Sequence, residues 1–143
     1  MKYLASILLM VLSPIAQAAT YVDINLASYH FQRSEVARKN LSEFNPGIGI
    51  ERDVGGWRGM AGVYQNSFRR DSWYALLGYT PLHIGGADVG VLGGAISGYA
   101  SGAVPAVGLL ASIGCLNLIV IPKAHIMHKD INGFVGFQVR VKY

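Results

Sequence analysis

The last twelve residues, NGFVGFQVRVKY (132–143), carry the reading of the fold. Val135, Phe137, Val139, Val141 and Tyr143 fall on one face at a spacing of two. Gln138, Arg140 and Lys142 fall on the other. A helix cannot segregate residues two apart, whereas a strand does so automatically. The segment is therefore a strand with one apolar and one polar face.

The composition asks what kind of sheet such a strand joins. The chain has 143 residues, 52% hydrophobic and only 14% charged, with a mean hydropathy of +0.34. Disorder is excluded, because it needs low hydrophobicity and high charge. An ordinary soluble domain is disfavoured, since such domains carry about 25% charged residues. Eighteen glycines argue against a long helical bundle. A net charge of +4 is modest and points to no nucleic acid. Cys115 is the sole cysteine, so no intrachain disulfide can form and no C-x-x-C site exists.

The start of the chain, MKYLASILLMVLSPIAQA (1–18), predicts a secretory signal peptide. Lys2 begins it, Leu4–Leu12 form a short apolar run, and Ala16-Gln17-Ala18 is an A-x-A cleavage site. The mature domain is then 19–143. An exported, apolar, Gly-rich chain is either a helical inner-membrane protein or an outer-membrane β-barrel. The helical reading rests on Ala103–Pro122, 20 residues without a charge. Pro105, Gly108, Gly114 and Asn117 interrupt that run. The barrel reading covers more of the chain, because lipid-facing positions need be apolar only at period two.

Eight strands are predicted, at 20–31, 46–54, 57–67, 72–82, 87–99, 104–115, 116–123 and 132–143. Turn residues separate them: Asn45-Pro46-Gly47, Gly55-Gly56, Gly85-Gly86, Ser101-Gly102 and Asn132-Gly133. The polar stretch Gln32–Asn45 reads as an outer surface loop. The expected fold is thus all-β, an eight-stranded antiparallel transmembrane β-barrel preceded by a cleaved signal peptide. Such a barrel holds side chains or one small ligand, so general solute diffusion is excluded. Tyr143 as the final residue resembles the C-terminal sorting signal of outer-membrane barrels.

Candidate chemistry lies at the strand ends. His125 and His128 flank the last turn, but apart from Asp130 nothing beside them completes a ligand set, and no metal is expected. His30 ends the first strand, and the third runs out at Tyr64-Gln65-Asn66-Ser67. Alternate strands of an up-and-down barrel point the same way, so His30 and Ser67 share a rim. A hydroxyl nucleophile needs a base within hydrogen-bond reach.

These residues resemble the PagP family of outer-membrane lipid A palmitoyltransferases, from about Tyr29 to Tyr143. His30 lies 16 residues before Pro46, close to the family's spacing from its catalytic histidine. MAGVYQNS (60–67) resembles the strand leading into the family's Asp-Ser pair, and Gly78-Tyr79 the Gly-Tyr that follows. PAVGLLASIG (105–114) and Ile121-Pro122 resemble its Pro-rich strand and its Ile-Pro-Gly. The resemblance implies acyl transfer from a glycerophospholipid to lipid A in the bacterial outer membrane, by a membrane-embedded monomer without cofactor or metal. It implies His30 as general base, with Ser67 and Asn66 completing the site.

There are departures. Asn66 stands where the family has Asp, while Asp71-Ser72-Trp73 matches the family's Asp-Ser-Trp literally and offers a second site pair. The family's amphipathic helix before the first strand is missing. Thr80 falls near the glycine that sets acyl length in the family, which implies a shorter acyl chain. Arg33, Arg38, Lys39, Arg69 and Arg70 sit in the two outer loops, where lipid phosphates would be attracted. Pro81 and Pro105 cannot donate to a ladder, which suggests a gap in the wall for a lipid tail. The alternative function is a non-catalytic barrel that alters the cell surface or binds a partner.

Overall fold

The computed structural model describes residues 18–99, 101–126 and 129–143. The predicted signal peptide lies outside them, save for Ala18. Eight strands close into one antiparallel barrel. They are β1 (Ala19–His30), β2 (Phe44–Val54), β3 (Trp57–Gln65), β4 (Asp71–Ile84), β5 (Ala87–Ile96), β6 (Val104–Ile113), β7 (Leu116–Ile121) and β10 (Phe134–Lys142). Each pairs with its neighbour in the chain, and β10 returns to pair with β1 from Tyr21↔Lys142 to His30↔Phe134. Every predicted strand is present, with ends displaced by at most three residues.

Two features depart from the expectation, and a third settles against the helical alternative. The loop after β1 contains a short helix, α1 (Arg33–Lys39). A small hairpin, β8 (Ala124–Ile126) with β9 (Lys129–Ile131), precedes β10. The run Ala103–Pro122 contains the β6–β7 hairpin, so it is not an apolar helix. Among the described residues, no helix is long and apolar enough to cross a membrane.

The two ends of the barrel differ in their connections. At one end the turns are tight. Gly55 and Gly56 have φ of 60° and 85°, and Gly85 and Gly86 have 57° and 82°. Positive φ at both central residues is what a two-residue hairpin of the strands' own twist requires, and glycine adopts it without strain. At the other end lie α1, the β3–β4 loop, the β5–β6 loop and the β8–β9 hairpin. These ends are called the turn rim and the loop rim below.

Strand alternation divides outside from inside. The outer surface is apolar, with Ile48, Ile50, Val63, Leu77, Val91, Val107 and Leu109 all exposed. Aromatic side chains stand outward towards both rims: Tyr29, Phe44 and Trp73 at the loop rim, Trp57 and Tyr79 stacked 4.6 Å apart at the turn rim.

The interior has two halves. Towards the turn rim it is a charged network. The buried Arg58 guanidinium reaches the Ser112 hydroxyl, Asp88 at 3.2 Å, Asp53 at 3.3 Å and Glu51 at 3.7 Å. Arg140 meets Glu51 at 3.3 Å, and Asn117 donates to Glu51 at 2.8 Å. A charge this deep is tolerated only when paired. Towards the loop rim the interior turns apolar, with Tyr74, Leu76, Ile96, Ala106, Ile119 and Ile121 packed together.

The wall is not uniform. β6 pairs with β7 only from Leu109 to Ile113, so Val104–Val107, with Pro105, has no ladder partner on that side among the described residues. Pro81 lies in a register shift of the β4–β5 ladder, between Tyr79 and Leu82.

Candidate active site

β1 begins with Asp23 and Asn25 inside and Ile24 and Leu26 outside. Strict alternation would then put His30 outside, on the same parity as Ile24. Instead the register breaks between Asn25 and Ala27 against both neighbouring strands. One extra residue in a strand reverses the parity of all that follow. Ser28 and His30 therefore face inward, while Tyr29 and Phe31 face out.

The chain leaves β3 at Gln65 and turns sharply through Asn66 and Ser67. Ser67 Oγ lies 3.1 Å from His30 Nε2, and both side chains are buried. The residues share a rim, as their strand ends suggest, and they are also in hydrogen-bond contact. The Ser67 carbonyl is anchored in turn by the Ser42 amide at 2.8 Å.

Asn66 does not point at His30. Its amide nitrogen donates to Ser72 Oγ and to the Gly98 carbonyl, both at 3.0 Å. Its carbonyl oxygen accepts the amides of Phe68 at 2.9 Å and Arg70 at 3.1 Å. All donor and acceptor capacity of the side chain is used in tying the loop. Asn66 thus holds the segment bearing Ser67, and nothing in its contacts orients the imidazole. The second pair fares differently again. Asp71 is exposed and opposes Gln65, while Ser72 accepts from Asn66 and donates to the Arg70 carbonyl at 3.3 Å.

The carboxylate beside His30 is Glu43, which no sequence pattern marks. Glu43 Oε1 accepts the His30 backbone amide at 3.1 Å and lies 3.7 Å from His30 Nδ1. Arg33 donates to the same oxygen at 2.5 Å. That hydrogen bond holds the Glu43 carboxyl below its ordinary pKa. Glu43 resembles Glu35 in sequence context, and only the folding of the loop over β1 distinguishes them.

Two cavities meet at Ser67. The lower one, about 80 Å³, runs into the apolar half of the barrel between Tyr64, Tyr74, Leu76, Ile96, Ile119 and Phe137. The upper one, about 350 Å³, lies beneath the loops between His30, Lys39, Phe68, Asp130 and Asn132. Ser67, Tyr99 and Phe134 line both. Thr80 lines neither. It bonds to the Gly56 carbonyl near the turn rim, and Leu76 is the β4 side chain that reaches the lower cavity. The residue expected near the family's acyl-length position thus lies outside both cavities.

Three of the five basic residues of the outer loops lie in ion pairs, on two carboxylates. Arg38 and Lys39 hold Glu35 at 2.6 and 3.0 Å, lowering its pKa to about 2, and Arg33 is taken by Glu43. Arg69 donates to the Asn40 carbonyl, and neither Arg69 nor Arg70 has a carboxylate partner among the described residues. His125 pairs with Asp130 at 2.8 Å, and His128 lies outside the described residues. Among the described residues, no cluster of three or more His, Cys, Asp or Glu side chains could hold a metal ion.

The arrangement supplies a hydroxyl, a base in contact with it, a wider chamber of mixed lining above and an apolar one below. No protein-family model matches the chain, and no curated protein matches it. What is established is an eight-stranded closed antiparallel β-barrel, an architecture consistent with a PagP-like barrel.

Proposed function

We propose that this chain is an outer-membrane acyltransferase of the PagP type, moving an acyl chain from a glycerophospholipid to lipid A or a related lipid. The observation that carries the reading is the 3.1 Å contact between Ser67 Oγ and His30 Nε2 where an apolar cavity joins a wider one whose lining includes Lys39, Asp130 and Asn132. An ester linkage is the point at which a lipid changes from polar to apolar. A nucleophile at this junction is matched to that bond.

The chemistry follows from the two groups. Ser67 attacks the ester carbonyl of the donor as His30 Nε2 takes its proton. The lysophospholipid alkoxide leaves with that proton, and the acyl group remains on Ser67. A hydroxyl of the acceptor then gives its proton to His30 and attacks the acyl carbonyl. Ser67 leaves and recovers the proton. No net charge or co-reactant is needed.

The exterior supports membrane insertion. Its apolar band with aromatics towards both rims is the pattern of outer-membrane barrels. Short turns then face the periplasm and the loop rim faces outward. Apart from the unpaired stretch Val104–Val107, the closed barrel offers no sheet edge to a second copy among the described residues, which suits a monomer. The unpaired side of Val104–Val107 suits sideways passage of a lipid tail. Arg69 and Arg70 are the loop cations best placed to attract lipid phosphate.

Mass spectrometry of lipid A from cells making this chain, beside a Ser67→Ala control, tests the reading. A species heavier by one acyl chain, absent in the control, is expected. Unchanged lipid A with a heat-modifiable barrel in the outer membrane would overturn it, and would favour a non-catalytic barrel acting at the cell surface.

A further inference from the structure

We infer that Glu43 is the positioning residue for His30, holding the imidazole in the tautomer that leaves Nε2 free to take the Ser67 proton. The inference rests on the acyl-transfer reading of the site. A neutral imidazole has one nitrogen as donor and one as acceptor, and the partner of the donor selects which. For Nε2 to act as base, the proton must sit on Nδ1. His30 Nδ1 is buried and has no hydrogen-bond partner. The carboxylate nearest to it is Glu43, at 3.7 Å.

Several contacts fix that carboxylate where it stands. Glu43 Oε1 accepts the amide of His30 itself, so the side chain is tied to the residue it would orient. The Glu43 carbonyl accepts the Ser28 amide at 2.9 Å, a second tie to β1. The adjoining Ser42 amide holds the Ser67 carbonyl. The two residues Ser42 and Glu43 therefore clamp both the strand of the base and the turn of the nucleophile. Arg33 holds Glu43 from the solvent side at 2.5 Å.

The separation of 3.7 Å exceeds a hydrogen bond by roughly 0.5 Å or more. Such contacts are often long in the free enzyme and tighten once substrate is bound. The carboxylate that the family resemblance places at residue 66 is thus supplied from a different loop.

The test uses the full mature chain in detergent micelles. Long-range 15N–1H correlation spectra of 15N-histidine protein report the tautomer, with His30→Gln assigning the signal among the four histidines. The expected result is an Nδ1-protonated His30 whose share of that tautomer falls in Glu43→Leu, which has no acceptor to face Nδ1. The heat-modifiable gel band shows whether that barrel folds, and Glu43→Gln, whose amide oxygen can still accept Nδ1–H, should keep the wild-type tautomer. Turnover in mixed micelles of phosphatidylethanolamine and lipid A gives the second readout. Glu43→Leu should lower kcat by about 10²- to 10⁴-fold with KM nearly unchanged, and Glu43→Gln should recover part of it. An unchanged tautomer in folded Glu43→Leu would overturn the inference, whatever happens to kcat. A wild-type protein without turnover whose tautomer still depends on Glu43 would sink the acyl-transfer reading and leave the positioning role standing.

Discussion

Asn66 shows how a side chain can look like a defect in sequence and be required by its surroundings. An Asp at this position would retain the two bonds accepted from Phe68 and Arg70, yet lose both donors. It would also set a carboxylate oxygen 3.0 Å from the Gly98 carbonyl. Leaving a buried polar group unsatisfied costs about 1–3 kcal/mol. Gly98 itself has φ of 86°, and a Cβ there would meet Asn66 Nδ2 at 2.6 Å, so the loop packs against the amide too closely for a side chain. Asn66→Asp is therefore expected to lower stability by about 1–3 kcal/mol in urea unfolding, and to reduce lipid product. A rise in product would show instead that position 66 is where a carboxylate is wanted.

At the level of strands, the inner face of β2 and β3 is cut to the shape of one ring. Ile48 and Ile50 point outward, while Gly47 and Gly49 between them face in. A Cβ on Gly49 would lie 2.0 Å from the Tyr74 hydroxyl, and one on Gly62 would lie 2.6 Å from it. The two glycines form the slot that lets Tyr74 of β4 lie across the barrel and line the lower cavity. Gly49→Val should displace that ring and cost about 1–3 kcal/mol, as overpacking of a filled core does. The urea midpoint of refolded barrel would report it. An unchanged midpoint would mean that Tyr74 swings aside freely. The break in β1 has the opposite character, since it adds a residue where these strands lack side chains. Its effect is to carry His30 across the wall.

The molecule as a whole assigns its two ends different tasks. The turn-rim half is filled by the Arg58 and Arg140 network, which closes the barrel from below. The lower cavity therefore stops short of the turn rim. At about 80 Å³ it has room for roughly six water-sized groups, a short acyl chain. Its depth on β4 is set by Leu76, so Leu76→Ala should let longer acyl chains appear on lipid A, at a stability cost of about 2–5 kcal/mol. Thr80→Gly should leave the chain-length distribution as it was. Acyl analysis of lipid A by mass spectrometry compares the three proteins. Longer chains in Thr80→Gly alone would place the floor deeper than the cavity described above.

Period-two alternation, Gly-rich turns and an apolar excess without helical spacing sufficed to read eight strands, their order and their closure. Each is a local property of the chain, and the physics that uses it is local too: side chains alternate across a strand, and glycine adopts positive φ. The end of β1 and the end of β3 could likewise be brought to one rim by counting strands. Three further things depended on contacts between residues far apart. The inward turn of His30 needed the register break against β2 and β10. The role of Asn66 needed Gly98, 32 residues away, and the placing of Glu43 needed a loop folded back over β1. No spacing rule encodes such contacts, because they are settled by which register the barrel must adopt in order to close.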